Sequence, residues 1–296
     1  MKFGTLSVVC GTSACNAGCP FCVSKMTTQA ETVKRPNWRR CEVACELAKR
    51  SGVTTALITG KGEPTLVPKE ISAYVRRLAV HFPLIELQTN GIMLAHEKDD
   101  RWINEWACSG MTLICVSVVH HEKLINSDMM GYKGKEFELS TLIERIHKAG
   151  MSVRINCTAM KGGVETSDHI HDMIDFCACF DVEQFTIREV TAPDADERVA
   201  HPGVAKWVHE HQLNQKDSDG AKIAGDLAIQ RAVEELGGQK LLALPHGAMV
   251  YDVGGQNVCT NNCLTDTLNP EEIRQLIYFR DGHLRYDWKY PGAIII

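Results

Sequence analysis

Cys15, Cys19 and Cys22 stand at C-x3-C-x2-C spacing within CGTSACNAGCPFC, the stretch from Cys10 to Cys22. Three thiolates on one short loop can hold a soft metal ion or an iron–sulfur cluster, and they leave one coordination position unfilled. A structural zinc site normally takes a fourth Cys or His, so zinc here would need a distant ligand such as His120 or His121. An iron–sulfur cluster tolerates the open position when that iron binds a substrate or cofactor directly. The loop therefore points to a catalytic cluster or to a metal-binding module.

Such a loop must be carried by regular elements. Strand-like runs alternate with amphipathic ones to about residue 190: TLSVVC just before the loop, then TTALIT, LIELQT, TLICVSV, SVRINCT and EQFTIREV. Between them lie helix-like segments such as WRRCEVACELAKR, PKEISAYVRRLAVHF and FELSTLIERIHKAG, several of them opening near Pro, Asp or Ser. Strands that alternate with helices imply a parallel sheet with right-handed crossovers, with the chemistry at the C-terminal strand ends. The expected fold class is α/β, a partial (β/α)6 barrel of parallel strands over 1–190. An α+β C-terminal extension over 191–296 is expected to cover the barrel mouth and contribute to the substrate site, with a hairpin turn at Asp281-Gly282.

Period-two alternation sorts the strand residues into two faces. Gln88, Asn90, Ser117, Arg154, Asn156, Thr158, Thr186 and Arg188 share one, while Leu87, Val116, Val153, Ile155 and Ile187 share the other. A polar inner face suits a ligand cavity, or else a set of side chains that satisfy one another. Arg154, Arg188 and Lys161 are candidates to hold a substrate carboxylate or phosphate, unless they pair with Glu189 or other local carboxylates.

Composition narrows the partners. The formal net charge is −5 with both signs interspersed, so there is no basic stripe for long nucleic acid. No apolar run approaches the roughly 20 residues of a bilayer crossing, and MKFGTLSVV is too short and polar for a signal peptide. The thirteen cysteines are odd in number, and the chain is large enough to stabilise itself without disulfides. Reduced thiols and a cytoplasmic location follow as expectations. Cys41, Cys45, Cys108, Cys115, Cys157, Cys177 and Cys179 lie in helix-like or strand-like runs, where cysteine acts as a small hydrophobe.

The loop Cys15-Asn16-Ala17-Gly18-Cys19-Pro20-Phe21-Cys22 after a first strand resembles the radical S-adenosylmethionine superfamily, whose loop is C-x3-C-x-aromatic-C. ITGKGEPTL after the second strand resembles that family's glycine-rich motif, with Lys61 in place of the first Gly of G-G-E-P. LQTNG at the third strand and VSV at the fourth are also similar, and the resemblance covers roughly residues 5 to 190. It implies a 4Fe-4S cluster on Cys15, Cys19 and Cys22 whose fourth iron chelates S-adenosylmethionine. Reductive cleavage then gives a 5′-deoxyadenosyl radical that abstracts hydrogen from the substrate. By the same resemblance Gly60, Gly62, Glu63 and Pro64 receive the methionine end and Phe21 lies near adenine, while Gln88, Asn90, Ser117, Asn156 and Arg188 line the rest of the cofactor site. The electrons would come from an external donor such as flavodoxin or ferredoxin.

Cys259 and Cys263, in NVCTNNCLT, are candidates for a second cluster, for a catalytic thiol that donates hydrogen to a substrate radical, or for structure. The segment IRQLIYFRDGHLRYDW distantly resembles the C-terminal part of the molybdenum-cofactor GTP cyclases, but no cysteine follows Cys263 and PGAIII lacks their terminal glycine pair. Three functions fit: a radical enzyme for a small polar, metabolite-like or nucleotide-like molecule, one for a peptide or protein, or a non-catalytic zinc or iron–sulfur module. Rearrangement, cyclisation, epimerisation and dehydrogenation are the reactions open to the first.

Overall fold

The computed structural model describes residues 2–27, 35–191, 201–213, 215–216, 222–223, 225–244, 246–261 and 272–296. The first part of the chain runs β1 (Lys2–Val9), α1 (Val23–Met26), α2 (Trp38–Arg50), β2 (Thr55–Thr59), α3 (Pro68–Leu78), β3 (Leu84–Thr89), α4 (Ile92–His96), α5 (Arg101–Cys108), β4 (Leu113–Val118), α6 (Lys123–Met129), α7 (Leu139–Lys148), β5 (Ser152–Ala159), α8 (Ser167–Cys179) and β6 (Gln184–Glu189). There follow α9 (Pro202–His211), β7 (Gln215–Lys216), β8 (Lys222–Ile223), α10 (Gly225–Glu235), β9 (Gln239–Ala243), β10 (Met249–Val253), β11 (Gln256–Thr260), β12 (Glu272–Tyr278) and β13 (Leu284–Arg285).

The helices form where the apolar spacing demands them. In α3, Pro68 opens the first turn and Ile71, Tyr74, Val75 and Leu78 are buried at i, i+3, i+4 and i+7. In α8, the Thr166 hydroxyl accepts from the His169 N–H as an N-cap, and Ile170, Met173, Ile174 and Cys177 repeat the same stripe. Each fully buried Leu or Ile contributes about 1.5–3 kcal/mol, so these stripes fix the helices on the sheet.

Strands β1 to β6 lie side by side in chain order, all parallel, as the alternating pattern implies. The sheet then continues beyond both of its edges. β11 pairs parallel with β6 and β12 parallel with β1, so β1 to β6 plus β11 and β12 make eight parallel strands among the described residues. β9 and β10 extend the β11 side as an antiparallel meander, and β13 closes a hairpin on β12 through Asp281-Gly282, with Gly282 at φ +92°. The charge of Arg274 on β12 is felt by Arg188 on β6 and Cys259 on β11, so the sheet curves enough to bring the inner faces of these strands within reach of one another. One hydrophobic core runs from Leu6, Ile58 and Leu87 to Val258, Leu276 and Tyr278. This core takes in residues from before and after 190, β11 and β12 extend the same sheet, and α9 lies beside the cysteine loop. No helix among the described residues is long and apolar enough to cross a membrane.

Candidate functional site

The cysteine loop leaves the C-terminal end of β1 and is tied down on three sides. The Gly18 N–H donates to the carbonyls of Met130 (3.0 Å) and Gly131 (2.8 Å), and Lys133 N–H donates to Asn16 O (3.0 Å). The Lys25 ammonium donates to Cys19 O at 2.9 Å and Lys133 Nζ to Cys15 O at 3.2 Å, where two cations meet carbonyls of the loop. The Gly11 N–H donates to Glu70 Oε1 (3.0 Å), and Glu70 Oε2 takes a bond from Arg280 Nη2 (2.9 Å) on the β12–β13 hairpin. Sequence reading missed the 130–133 segment and the Glu70–Arg280 pair, because both reach the loop over long separations. The signal it offered was a glycine on each side: a Cβ on Gly18 would sit 3.2 Å from Gly131 O.

The segment after β2 meets the cysteine loop backbone to backbone. Glu63 N–H donates to Ala14 O at 2.9 Å, and a Cβ on Gly62 would lie 2.1 Å from that same oxygen. Gly60 approaches Cys10 O less tightly, at 2.9 Å for its added Cβ. Glu63 is buried with both carboxylate oxygens occupied. Oε1 accepts from Thr65 N (2.9 Å), Thr65 Oγ1 (2.6 Å) and Thr89 Oγ1 (2.6 Å), and Oε2 accepts from Asn90 N (2.9 Å). Burial raises its pKa, and the hydrogen bonds from Thr65, Thr89 and Asn90 oppose that shift. Glu63 thus staples the 60–64 loop to the end of β3, and Pro64 starts the short 3-10 turn that follows it. Asn90 carries the staple on: its Nδ2 donates to Asn16 Oδ1 at 2.8 Å, beside the Cys15 sulfur at 3.8 Å. Removing the carboxylate strands four donors, so Glu63→Ala is expected to cost about 3 kcal/mol, measurable by urea denaturation of the cluster-free protein.

The inner faces of β3 to β6 and β11 sort into rows by register. The lower row, Gln88, Cys115, Arg154 and Gln184, is laterally paired and satisfied from within. Arg154 Nη1 lies 2.9 Å from Glu86 Oε2, its Nε donates to Gln184 Oε1 at 2.8 Å, and Gln88 Nε2 donates to Glu86 Oε1 at 3.1 Å. The next rows hold Ser117, Asn156, Thr186 and Cys259, then Thr158 and Arg188. These are half-buried, and none of Ser117, Asn156, Thr158, Thr186 or Arg188 makes a side-chain hydrogen bond to another described residue. The floor of the lumen is a structural network, whereas the polar groups nearer the mouth are left for a ligand.

Cys15, Cys19 and Cys22 are half-buried free thiols. Burial, then the neighbouring Cys22 and Cys15, push the Cys19 thiol up to about 12, and burial likewise raises Cys15. Among the described residues, the side chains gathered closely enough for a single ion are His120, His121 and Glu122, with ligand atoms within 4.8 Å of one another. The three thiols are not gathered so tightly. One tetrahedral zinc, with Zn–S bonds of about 2.3 Å, would need sulfurs under about 4 Å apart. A cluster that gives each thiolate its own iron suits a wider trio. His120 and His121 stack on each other at 4.7 Å at the end of β4, and the His120 Nδ1 accepts from the Glu122 N–H. The Asn16 Nδ2, buried without a partner in the loop itself, adds a donor for a group held there. The loop's residues fit an iron–sulfur cluster.

Phe21 packs toward Trp207 of α9, ring centroids 5.9 Å apart, in an apolar patch with Cys19, Met130 and Met160. Trp207 had no signal in the sequence as part of this site. Lys61, where the motif has glycine, sends its ammonium to Thr27 Oγ1 (2.7 Å) and over the Trp288 ring (5.3 Å), and burial lowers its pKa to about 8. Lys161 donates its backbone N–H to His211 O, and its ammonium reaches Glu210 O, both on α9. Cys259 faces the lumen beside Thr186, and Cys263 lies outside the described residues.

The family profile described as Radical SAM superfamily matches residues 9–177. No curated protein matches the chain in sequence. Among solved structures, SuiB of Streptococcus suis bound to S-adenosylmethionine aligns with a TM-score of 0.65 at 15% identity, over 99% of this chain and 62% of SuiB. SuiB bound to its precursor peptide SuiA gives 0.64 at 16% identity, over 97% and 60%. HydG, a maturase of the FeFe-hydrogenase, gives 0.52 at 12% identity, over 78% and 48%. At these identities the likeness is one of fold, and this chain spans 62% of the length of SuiB. The profile match begins at the end of β1, takes in the cysteine loop and its stapled neighbour, and reaches into α8, which is more than half of the chain: it belongs to the radical SAM superfamily.

Proposed function

We propose that this chain is a radical enzyme that holds a 4Fe-4S cluster on Cys15, Cys19 and Cys22, binds S-adenosylmethionine against the 60–64 loop, and acts on a small polar molecule in the lumen. The observation that carries this is the split of the inner face: a self-satisfied floor around Arg154 and Glu86, with unpartnered Ser117, Asn156, Thr158 and Arg188 nearer the cysteine loop. When bound, the cofactor pair supplies a 5′-deoxyadenosyl radical by reductive cleavage, with the electron from an external protein such as flavodoxin or ferredoxin. The chain supplies position and shelter. Gly60 and Gly62 let the 60–64 backbone lie against the cysteine loop, Glu63 and Asn90 fix that contact, and Phe21 with Trp207 gives an apolar wall that limits water. Gln88 is bound to Glu86, so Ser117 and Asn156 are the better cofactor contacts.

Cys259 returns a hydrogen atom to the substrate radical, a role supported by its register beside Asn156 and Thr186 on the inner face. The S–H bond breaks and a C–H bond forms, and one electron from the external donor with a proton from water restores the thiol. The many buried free thiols favour a reducing, cytoplasmic setting. A peptide substrate is the second reading, favoured by the fold shared with SuiB, which binds the precursor peptide SuiA.

The test is anaerobic reconstitution, iron and sulfide analysis, and 5′-deoxyadenosine formation from S-adenosylmethionine under a strong reductant. About four irons per chain with 5′-deoxyadenosine is the expected result, and seven or eight irons would place a second cluster at Cys259 and Cys263 instead. Zinc alone, with no cleavage after iron loading, would leave a binding module.

A further inference from the structure

Arg188 is the exception among the charged groups of the lumen. Arg154 is neutralised by Glu86 and braced by Gln184. Arg274 has a partner of its own. Among the described residues the Arg188 side chain has no ion pair and no hydrogen bond, although Glu189 is its chain neighbour, because alternation along β6 turns Glu189 to the opposite face. Its side chain reaches inward far enough for its charge to be felt by Cys115 on β4, and the other charge acting on it is that of Arg274, of the same sign. Burial and that like charge both disfavour its protonated form. His246, close enough to feel Arg274, adds no further positive charge, since burial and Arg274 hold its pKa down to about 4.

A guanidinium held in a lumen without a counter-charge costs several kcal/mol, and the cost is relieved when an anion arrives. Its planar fork matches the paired oxygens of a carboxylate or phosphate better than a single hydroxyl or carbonyl. We propose that the substrate carries a carboxylate or phosphate group that Arg188 binds in the lumen, with Arg274 strengthening the field. This rests on the reading of the lumen as the substrate site. The methionine carboxylate of S-adenosylmethionine offers the same chemistry, and the experiment separates the two sources.

The experiment uses the full chain, wild type, Arg188→Gln and Arg188→Lys, with iron content, S-adenosylmethionine affinity and 5′-deoxyadenosine formation recorded for each. Thermal unfolding is followed with inorganic phosphate and with succinate against chloride of equal ionic strength, S-adenosylmethionine being present throughout. Wild type is expected to be stabilised by at least one of the two anions. Arg188→Gln should weaken that binding at least about tenfold, leave iron content and cofactor affinity within about twofold, and raise the melting temperature of the anion-free protein, since an uncompensated charge is gone. Arg188→Lys should keep part of the anion effect. Anion stabilisation that is absent in wild type, or unchanged in Arg188→Gln, overturns the proposal. So does a tenfold loss of S-adenosylmethionine affinity in Arg188→Gln, which would assign the residue to the cofactor. Loss of anion binding in a protein that never forms 5′-deoxyadenosine would uphold the anion site while the radical reading fails.

Discussion

Cys15→Ala, Cys19→Ala and Cys22→Ala, made one at a time, are each expected to drop bound iron from about four per chain to below about one, and to lower 5′-deoxyadenosine formation at least about a thousandfold. The reason is geometric. The three thiols share one loop whose carbonyls are held by Lys25 and Lys133 and whose amides are held from the 130–133 segment, so no other described sulfur can move in to replace a lost ligand. Cys10, the nearest in sequence, is buried, and burial, followed by the neighbouring Glu70, pushes its thiol well up. Cys41→Ala is the control: that residue is fully buried in α2 against the sheet, and its loss should cost packing while leaving iron untouched. Iron and sulfide analysis with 5′-deoxyadenosine chromatography reads all four variants. Full iron binding in any one of the first three would remove that cysteine from the ligand set.

Gly62→Ala is expected to be the most damaging single methyl group in the chain. Its new Cβ would lie 2.1 Å from Ala14 O and 2.7 Å from the carbonyl carbons of Ser13 and Ala14, all backbone atoms that cannot rotate away. The loops must part, breaking the Glu63 N–H to Ala14 O bond and shifting Cys15 one residue on. Overpacking of this kind costs about 3 kcal/mol, which for a protein of this size lowers the melting temperature by roughly 5–10 °C. Iron loading should fall as well, because the thiols lose their spacing. Gly134→Ala, which meets nothing within 4 Å, is the matched control and should shift stability by less than about 0.5 kcal/mol. Equal stability in the two variants would show that the loops do not depend on this close approach.

The local pattern was enough to read the first six strands, the helices between them and the polar inner face, because burial on two sides imposes period two on a strand and period 3.6 on a helix. Spacing was also enough to single out the cysteine trio, since thiolates that share a metal group need fixed spacing on a short loop, whereas the G-E-P segment stood out only by its resemblance to the radical S-adenosylmethionine motif. What each inner residue does was not legible. Glu63 and Asn90 were read as cofactor contacts, and the folded chain spends both Glu63 oxygens on Thr65, Thr89 and Asn90, and an Asn90 amide on Asn16. Arg154 and Arg188, two strands' equivalents in the sequence, part company in space, one paired with Glu86 and the other left without a counter-charge.

The same holds for the last hundred residues. Their strands and the Asp281-Gly282 turn are visible as alternation and a turn pair, but alternation carries no record of which edge a strand will join. Only the tertiary structure sends β11 to β6 and β12 to β1, and so brings Cys259, Arg274 and Arg188 to one lumen. The sequence by itself determined the cysteine loop, the first six strands and their faces, all of which depend on neighbours a few residues apart. Pairing partners, edge strands and the one uncompensated charge depend on contacts between residues up to about 270 positions apart, as in the Phe3 and Ile273 register, and those were decided by folding.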